Sequence, residues 1–281
     1  MVPERLSVLI KIAFLAFLLS TPGFANAQDD KGTAKEKVKV CYLNWGKQGG
    51  KHLPEQGFIP DLLSTVLREA GYEPVVDILP WVRCLEGVKR QDYDFVGSYW
   101  IGGEGDQWFD YFLPTTVDRI NFITTKASGL TSGRLEDLYG KRIANVKGVG
   151  GLNKFRDKID KYVSFEVSND HALIKMLTNK RIDAIISNSP HITSLAETSF
   201  PDLVKDLVVL QPPIETNIAS PAISLDNPRR KEMKARYNRA YRKLVAEGIY
   251  PRLMEKHAIR VDFTMTEDDQ KKFDAAQRRA E

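Results

Sequence analysis

The sequence predicts an α/β protein built as two lobes joined by crossing strands, and three observations predict it. Strand-like and helix-like segments alternate with short connections, as in lobes built on a largely parallel sheet. The alternation occurs as two series, separated by the extended run "RINFITTK". The two series also share an echo: "KRQDYDFVGS" at 89–98 and "NKRIDAIIS" at 179–187 each run from basic residues through Asp into an apolar strand ending in Ser.

The first series begins after the leader. Arg5 and Lys11 precede the run "IAFLAFLL", which is followed by Pro22, Gly23 and the small-x-small site Ala25-Asn26-Ala27. That order of basic, apolar and small residues reads as an export signal over 1–27, cleaved after Ala27. The apolar run falls short of the ~20 residues that cross a bilayer. The remaining roughly 250 residues suit two lobes of about 100–150 each. A net charge of +4 is too weak to point to nucleic acid.

A polar stretch, 28–36, is expected to be flexible. "VKVCYL" then has strand composition, and a Gly/Lys-rich loop follows it. "FIPDLLSTVLREAGY" keeps Leu62, Leu63, Val66, Leu67 and Ala70 on one helical face, with Gly71 as its stop. "EPVVDIL" reads as a strand, "WVRCLEGVKRQ" as a helix after Pro80, and "YDFVGS" as the third strand. In the second series "KRIANV", "YVSFEV" and "IDAIIS" are strands. "GLNKFRDKI", "DHALIKMLTNK" and "HITSLAETSF" are helices. "DLVVLQPPIE" closes this series as a crossing segment and "NIASPAIS" is extended. Two amphipathic helices follow, with a charged tail at 266–281. The lobes are therefore drawn as 37–123 plus 218–265, and 124–217.

Cys41 and Cys84 are the only cysteines. In an exported chain the pair is expected to be bridged, with two buried thiols as the alternative. The four histidines show no metal-ligand spacing with either cysteine, so no metal is expected. No cofactor motif is present either. The loop "VKGVGGLNKF" lacks the ending of a phosphate-binding loop.

In open α/β sheets ligands sit beyond the carboxyl ends of the strands. The loops there would place Ser98 and Ser187 on opposite walls of one cleft. Tyr42, Trp45, Phe58, Trp81, Arg83, Ser98, Tyr99 and Trp100 form the candidate first wall. All four tryptophans lie between 45 and 108, which suggests a stacking surface for rings or organic cations. Lys147, Gly148, Gly150 and Asn188 are the candidates on the second wall, where backbone N–H groups near glycines attract anions. Trp81 and Trp108 have packing as an equal alternative. Arg83 is read either as a fork for a ligand carboxylate or as a partner of Glu86 or Asp61. His191 is read as a helix-surface residue, with a cleft position as the alternative.

The series "GFIPDLLSTVLREAGY", "PWVRCLEGVKRQDYDFVGS", "INFITTK", "LEDLYGKRIANVKGVGG", "ALIKMLTNKRIDAIIS" and "NPRRKEMKARYNRAYRKLVAEGIYPRLMEKH" resembles the family 3 extracellular solute-binding proteins in order and spacing. The resemblance covers roughly Val38 to His257. It implies a type II periplasmic-binding-protein fold, the Venus flytrap, with two crossing strands and a small molecule clamped between the lobes. It further implies a periplasmic monomer that serves an inner-membrane ABC permease.

The chain departs from the family where typical members grip an amino acid. Their arginine after the third strand is missing, since Lys and Arg are absent from Gln91 to Asp118, and their second-lobe acid is matched by Asn188. A plain amino acid is therefore not the expected ligand. Two further readings stand beside transport. One is a sensing module, and the other is a cyclohexadienyl-dehydratase-like enzyme using Glu104 or Asp106 as its acid.

Overall fold

In the computed structural model, residues 35–102, 104–147 and 151–280 are described. The export signal, most of the 28–36 stretch, Gly148 and Gly150 lie outside the described residues.

The first half is built on β1 (Lys37–Tyr42), β2 (Glu73–Ile78) and β3 (Phe95–Trp100), with helices α1 (Phe58–Glu69) and α2 (Trp81–Lys89) as crossovers. Both β2 and β3 pair parallel with β1. The expected apolar face of α1 is buried at Leu62, Leu63, Val66 and Leu67. Gly57 opens the helix at φ 103°, and a Cβ there would sit 2.8 Å from Gly49 Cα. Only glycine meets both demands. The aromatic loop after β3 contributes a short strand the sequence did not announce, β4 (Phe109–Tyr111).

The second half holds β6 (Arg142–Val146), β7 (Val163–Val167) and β8 (Ala184–Asn188). Its helices are α3 (Asn153–Arg156), α4 (Asp170–Thr178) and α5 (Ser189–Ser199). Asn169 and Asn188 cap α4 and α5 by accepting from the backbone N–H groups of Ala172 and His191, the usual use of asparagine at this position.

Two long strands, β5 (Thr116–Thr125) and β10 (Glu215–Ser224), join the halves. They pair antiparallel with each other; β10 also pairs with β3 and β4, and β5 with β8 and the short β9 (Leu207–Val209). The sheet order is β2-β1-β3-β10-β5-β8-β6-β7. The crossing strands knit the two lobe sheets into a single hydrogen-bonded ladder. The packing still divides in two. One pair of apolar clusters surrounds β1–β3, and another surrounds β6–β8.

The chain closes with α6 (Arg230–Ala246), α7 (Ile249–Lys256) and α8 (Glu267–Ala280). The supposed charged tail is α8, a docked helix. Thr266 and Asp269 cap it reciprocally, a capping-box arrangement. Phe273 and Ala276 are buried with Cys41, Cys84 and Val96. Phe273→Ala is expected to cost about 3 kcal/mol, near the low end for a buried phenylalanine. It should also release α8 to limited proteolysis; a denaturant midpoint unchanged from wild type would contradict this.

Candidate functional site

The alternation of side chains along strands decides which residues can meet at the seam between the lobes. Asn217 on β10 lies opposite Asp118 on β5, and Ala219 lies opposite both Thr116 on β5 and Trp100 on β3. On the other side of β5, Ile120 lies opposite Asn188 on β8. Residues two apart on a strand share a face, and so do directly paired residues. Trp100, Asn217, Asp118 and Asn188 therefore emerge on one face of the seam, contributed by four adjacent strands.

Asp118 is the centre of this face. It is 6% exposed, and Trp100 Nε1 donates to its Oδ2 at 2.6 Å. Burial raises its carboxyl to about 6, against the pull of Trp100, Gln48 and Asn188 and of charge on His191. No Lys or Arg among the described residues pairs with it; the neighbouring Arg119 is engaged by Asp262. The Asn188 side chain lies near enough to favour the charged form, yet its Nδ2 completes no hydrogen bond. Glu215 shares the face by register, and burial raises its carboxyl as well, with the Lys154 N–H facing it at 3.4 Å.

Two elements lie over the face. From the first lobe, the loop after β1 brings Trp45 and the buried Gln48. From the second, the first turn of α5 brings His191. The two rings stack, centroids 4.1 Å apart and nearly coplanar, while Trp45 also meets Trp100 edge to face at 6.3 Å. His191 is thus a cleft residue, not a helix-surface one. Its Nε2 lies 3.1 Å from Asp170 Oδ2, but neither ring nitrogen makes a hydrogen bond of good geometry. Lys47 reaches from the same loop to Glu197 on α5 at 2.9 Å. These contacts clasp the two lobes directly.

Gly151 completes the far side. It adopts φ 64°, and an added Cβ would lie 2.3 Å from Asn217 Nδ2 and 2.6 Å from the Trp100 ring. Its carbonyl accepts from Asn217 at 3.1 Å. Gly151→Ala is therefore expected to push Trp100 off the Asp118 carboxylate. Tryptophan fluorescence should shift in emission maximum; an unchanged spectrum would mean that the neighbours absorb the methyl group.

Of the sequence candidates, Trp45, Trp100 and Asn188 come together at this site. Gly148 and Gly150 lie outside the described residues, and the structure places the other candidates elsewhere. Tyr42 is 1% exposed beneath the site, packed under Gly49 and Gly97, with its hydroxyl pushed well up by burial and then by the Asp118 charge. Phe58 is a core residue against Tyr250 and His257. Tyr99 follows Trp100's neighbour position to the opposite face of β3, where Trp81 stacks on it at 5.7 Å; both belong to the first lobe's second core. Arg83 is exposed on α2. Its suggested partners are held elsewhere, Glu86 by Lys89 and Asp61 by Lys256 and His257. Lys147 is exposed on the turn after β6, and Ser98 is half-buried within β3. Asp118 and Gln48 were missed. The one available signal was a carboxylate inside an otherwise strand-like, largely β-branched segment, "TTVDRINFITT".

No protein-family model matches this chain, and neither does any curated protein. Solved structures match in shape. The ligand-binding core of GluR0 from Nostoc punctiforme, in complex with L-glutamate, has a TM-score of 0.64 at 19% identity, covering 78% of this chain and 98% of that one. The amino acid ABC transporter substrate-binding protein AbpA from Streptococcus pneumoniae, bound to L-arginine, has a TM-score of 0.65 at 20% identity, covering 79% and 94%. An ancestral amino-acid-binding protein, a precursor of cyclohexadienyl dehydratase, scores 0.63 at 18% identity, covering 78% and 94%. At such identities the likeness establishes the fold: a two-lobed, type II periplasmic-binding-protein architecture joined by two crossing strands.

Proposed function

We propose that this chain is a divergent solute-binding protein of the family 3 type, which captures a small polar or aromatic-containing molecule between its lobes for an ABC-type importer. The observation that carries the reading is the Asp118 face. A buried ionisable group bound by the Trp100 indole, which Trp45 meets edge to face, lies at the junction of both lobes, where closure can sense a ligand. Binding would favour the closed arrangement by its greater affinity for that state. The chain would act in the periplasm as a monomer after cleavage at Ala27. A buried disulfide supports an oxidising compartment, and no helix among the described residues is long and apolar enough to cross a membrane.

The binding role is favoured over catalysis by the condition of Asp106, one of the two acids that an enzyme reading would use. Arg279 pairs with it at 2.7 Å, while Tyr111 and the Gly102 N–H donate to it. A carboxylate so occupied is committed to anchoring its loop rather than to delivering a proton.

The test is a thermal-shift screen of the purified protein against amino acids, organic cations, aromatic acids, sugars and short peptides. A specific ligand raises the unfolding midpoint with concentration. Turnover of a cyclic acid substrate would replace this reading with the enzymatic one. A search of adjacent genes separates import (permease and ATPase genes) from signalling (a sensor kinase gene).

A further inference from the structure

We propose that the seam is a seat for a small organic cation, anchored on the Asp118 carboxylate between the indoles of Trp45 and Trp100. The proposal rests on the solute-capture reading and specifies its ligand.

The charge balance of the face comes first. The hydrogen bonds to Asp118 come from neutral donors, Trp100 Nε1 foremost, charge on the displaceable His191 ring acts on it from nearby, and no Lys or Arg among the described residues pairs with it. Taking a carboxylate out of water without a countercharge is costly. Glu215, on the same face by register, adds a second buried carboxyl. Of the basic residues around the site, Lys47 pairs with Glu197 and Arg119 with Asp262, Lys147 is exposed, and the charges of Lys154 and Lys272 act on Glu215. A ligand carboxylate would thus meet like charge and no fork to hold it. A ligand cation supplies the partner that the chain itself omits.

The walls favour the same class. Indole faces attract cations through their quadrupole, more strongly when the site is desolvated. Trp45 and Trp100 stand at nearly a right angle, so together they present a face and an edge around one corner of the cleft. The flat ring now on Trp45 belongs to His191. It is held there by stacking and by Asp170 rather than by a hydrogen bond of good geometry. Stacking of this kind contributes only about 1 kcal/mol, so a ligand cation that also pairs with Asp118 can take its place.

A second, independent observation refines the ligand. Asn188 is 1% exposed, its Oδ1 accepts from the His191 N–H, and its Nδ2 has no hydrogen-bond partner. Buried donors are rarely left unmet. This one lies beside Asp118, and it calls for an acceptor on the ligand close to the positive centre. The predicted ligand is therefore compact, cationic, and carries a hydroxyl or carbonyl oxygen near its charge.

Isothermal titration at pH 7.5 and low salt tests this on the wild-type protein, Asp118→Asn and Trp45→Ala. One panel is tetramethylammonium, choline, methylguanidinium and N-methylpyridinium; the contrast panel is glutamine, glutamate, benzoate and glucose. Expected is binding from the cation panel, with choline tighter than tetramethylammonium, a loss of at least about 100-fold in Asp118→Asn and about 10-fold in Trp45→Ala. Retained thermal unfolding in both variants separates lost binding from lost fold. Binding confined to the contrast panel, or cation binding that Asp118→Asn leaves intact, overturns the cation seat while solute capture stands. A wild-type protein that binds no member of either panel overturns the cation seat, while solute capture is decided by the wider thermal-shift screen.

Discussion

Asp118→Asn is expected to make the protein more stable at pH 8, by about 2 kcal/mol, even as it removes the charge at the centre of the cleft. The wild-type carboxyl titrates at about 6 in the folded protein, against 3.8 ordinarily, and burial is the main cause. Each unit is worth about 1.4 kcal/mol, so ionised Asp118 opposes folding by roughly 3 kcal/mol once pH is well above 6. Asparagine keeps an oxygen for Trp100 Nε1 and carries no charge, losing only the charge-assisted part of that bond. The sign with pH follows from proton uptake. The folded carboxyl holds its proton at higher pH than the unfolded one, so wild type gains stability as pH falls from about 6 towards 4. The advantage of the variant should therefore shrink across that window and vanish below it. His191, Tyr42 and Glu215 also bear on this region, but they are present in both proteins, so the difference between the two curves isolates Asp118. Denaturant unfolding at several pH values between 4 and 8 measures it. A variant less stable than wild type at pH 8 would mean that the buried carboxylate is stabilising as it stands.

A group that costs stability and lies where two lobes meet is the pattern expected of a functional residue. It also marks where the sequence was legible and where it was not. The patterns that define α1, β1 and β8 are local and read directly, α1 and the start of β1 because one face is buried, β8 as a short apolar run because it is buried throughout. The echo between 89–98 and 179–187 proved topologically sound. β3 and β8 each lie between a lobe's first strand and a crossing strand, β1 and β10 for one, β6 and β5 for the other. The absence of Lys and Arg from Gln91 to Asp118 was likewise visible. What could not be read was the face on which each aromatic emerges. Trp100 and Tyr99 are adjacent and equally suited to stacking, but pairing with Ala219 and Ser220 sends them to opposite sides of the sheet. That register is set by β10, more than a hundred residues away. Asp118 was hidden for a similar reason, because its surroundings depend on Gln48, Trp100 and Asn188 converging from three separate segments. Helix α8 is a different case. Its capping pair, Thr266 and Asp269, and the apolar pair, Phe273 and Ala276, were legible, but they are sparse within a strongly charged stretch.

The second large effect belongs to the disulfide. Cys41 in β1 and Cys84 in α2 are bridged across a separation of 43 residues, and both are fully buried. The chain-entropy model gives a loop of that length about 4 kcal/mol of stabilisation, through restriction of the unfolded chain. Total stabilities are typically about 5–15 kcal/mol, so a Cys41→Ala, Cys84→Ala double variant should lose a large share. The enclosed segment also carries Trp45 and Gln48, and the bridge fixes α2, whose Trp81 packs on Tyr99 beside Trp100 in sequence. The variant should therefore bind its ligand more weakly than its loss of stability alone would cause. Denaturant unfolding with and without reductant provides the check. Reductant should move wild type towards the double variant and leave the variant where it is, and thiol counting on unreduced, unfolded wild type should find no free cysteine. If the double variant keeps the wild-type midpoint and slope, the 43-residue loop does not restrict the unfolded chain as the model requires. The buried sulfurs would then act as packing atoms within the cluster of Val88, Val96 and Phe273, a role that alanine nearly fills.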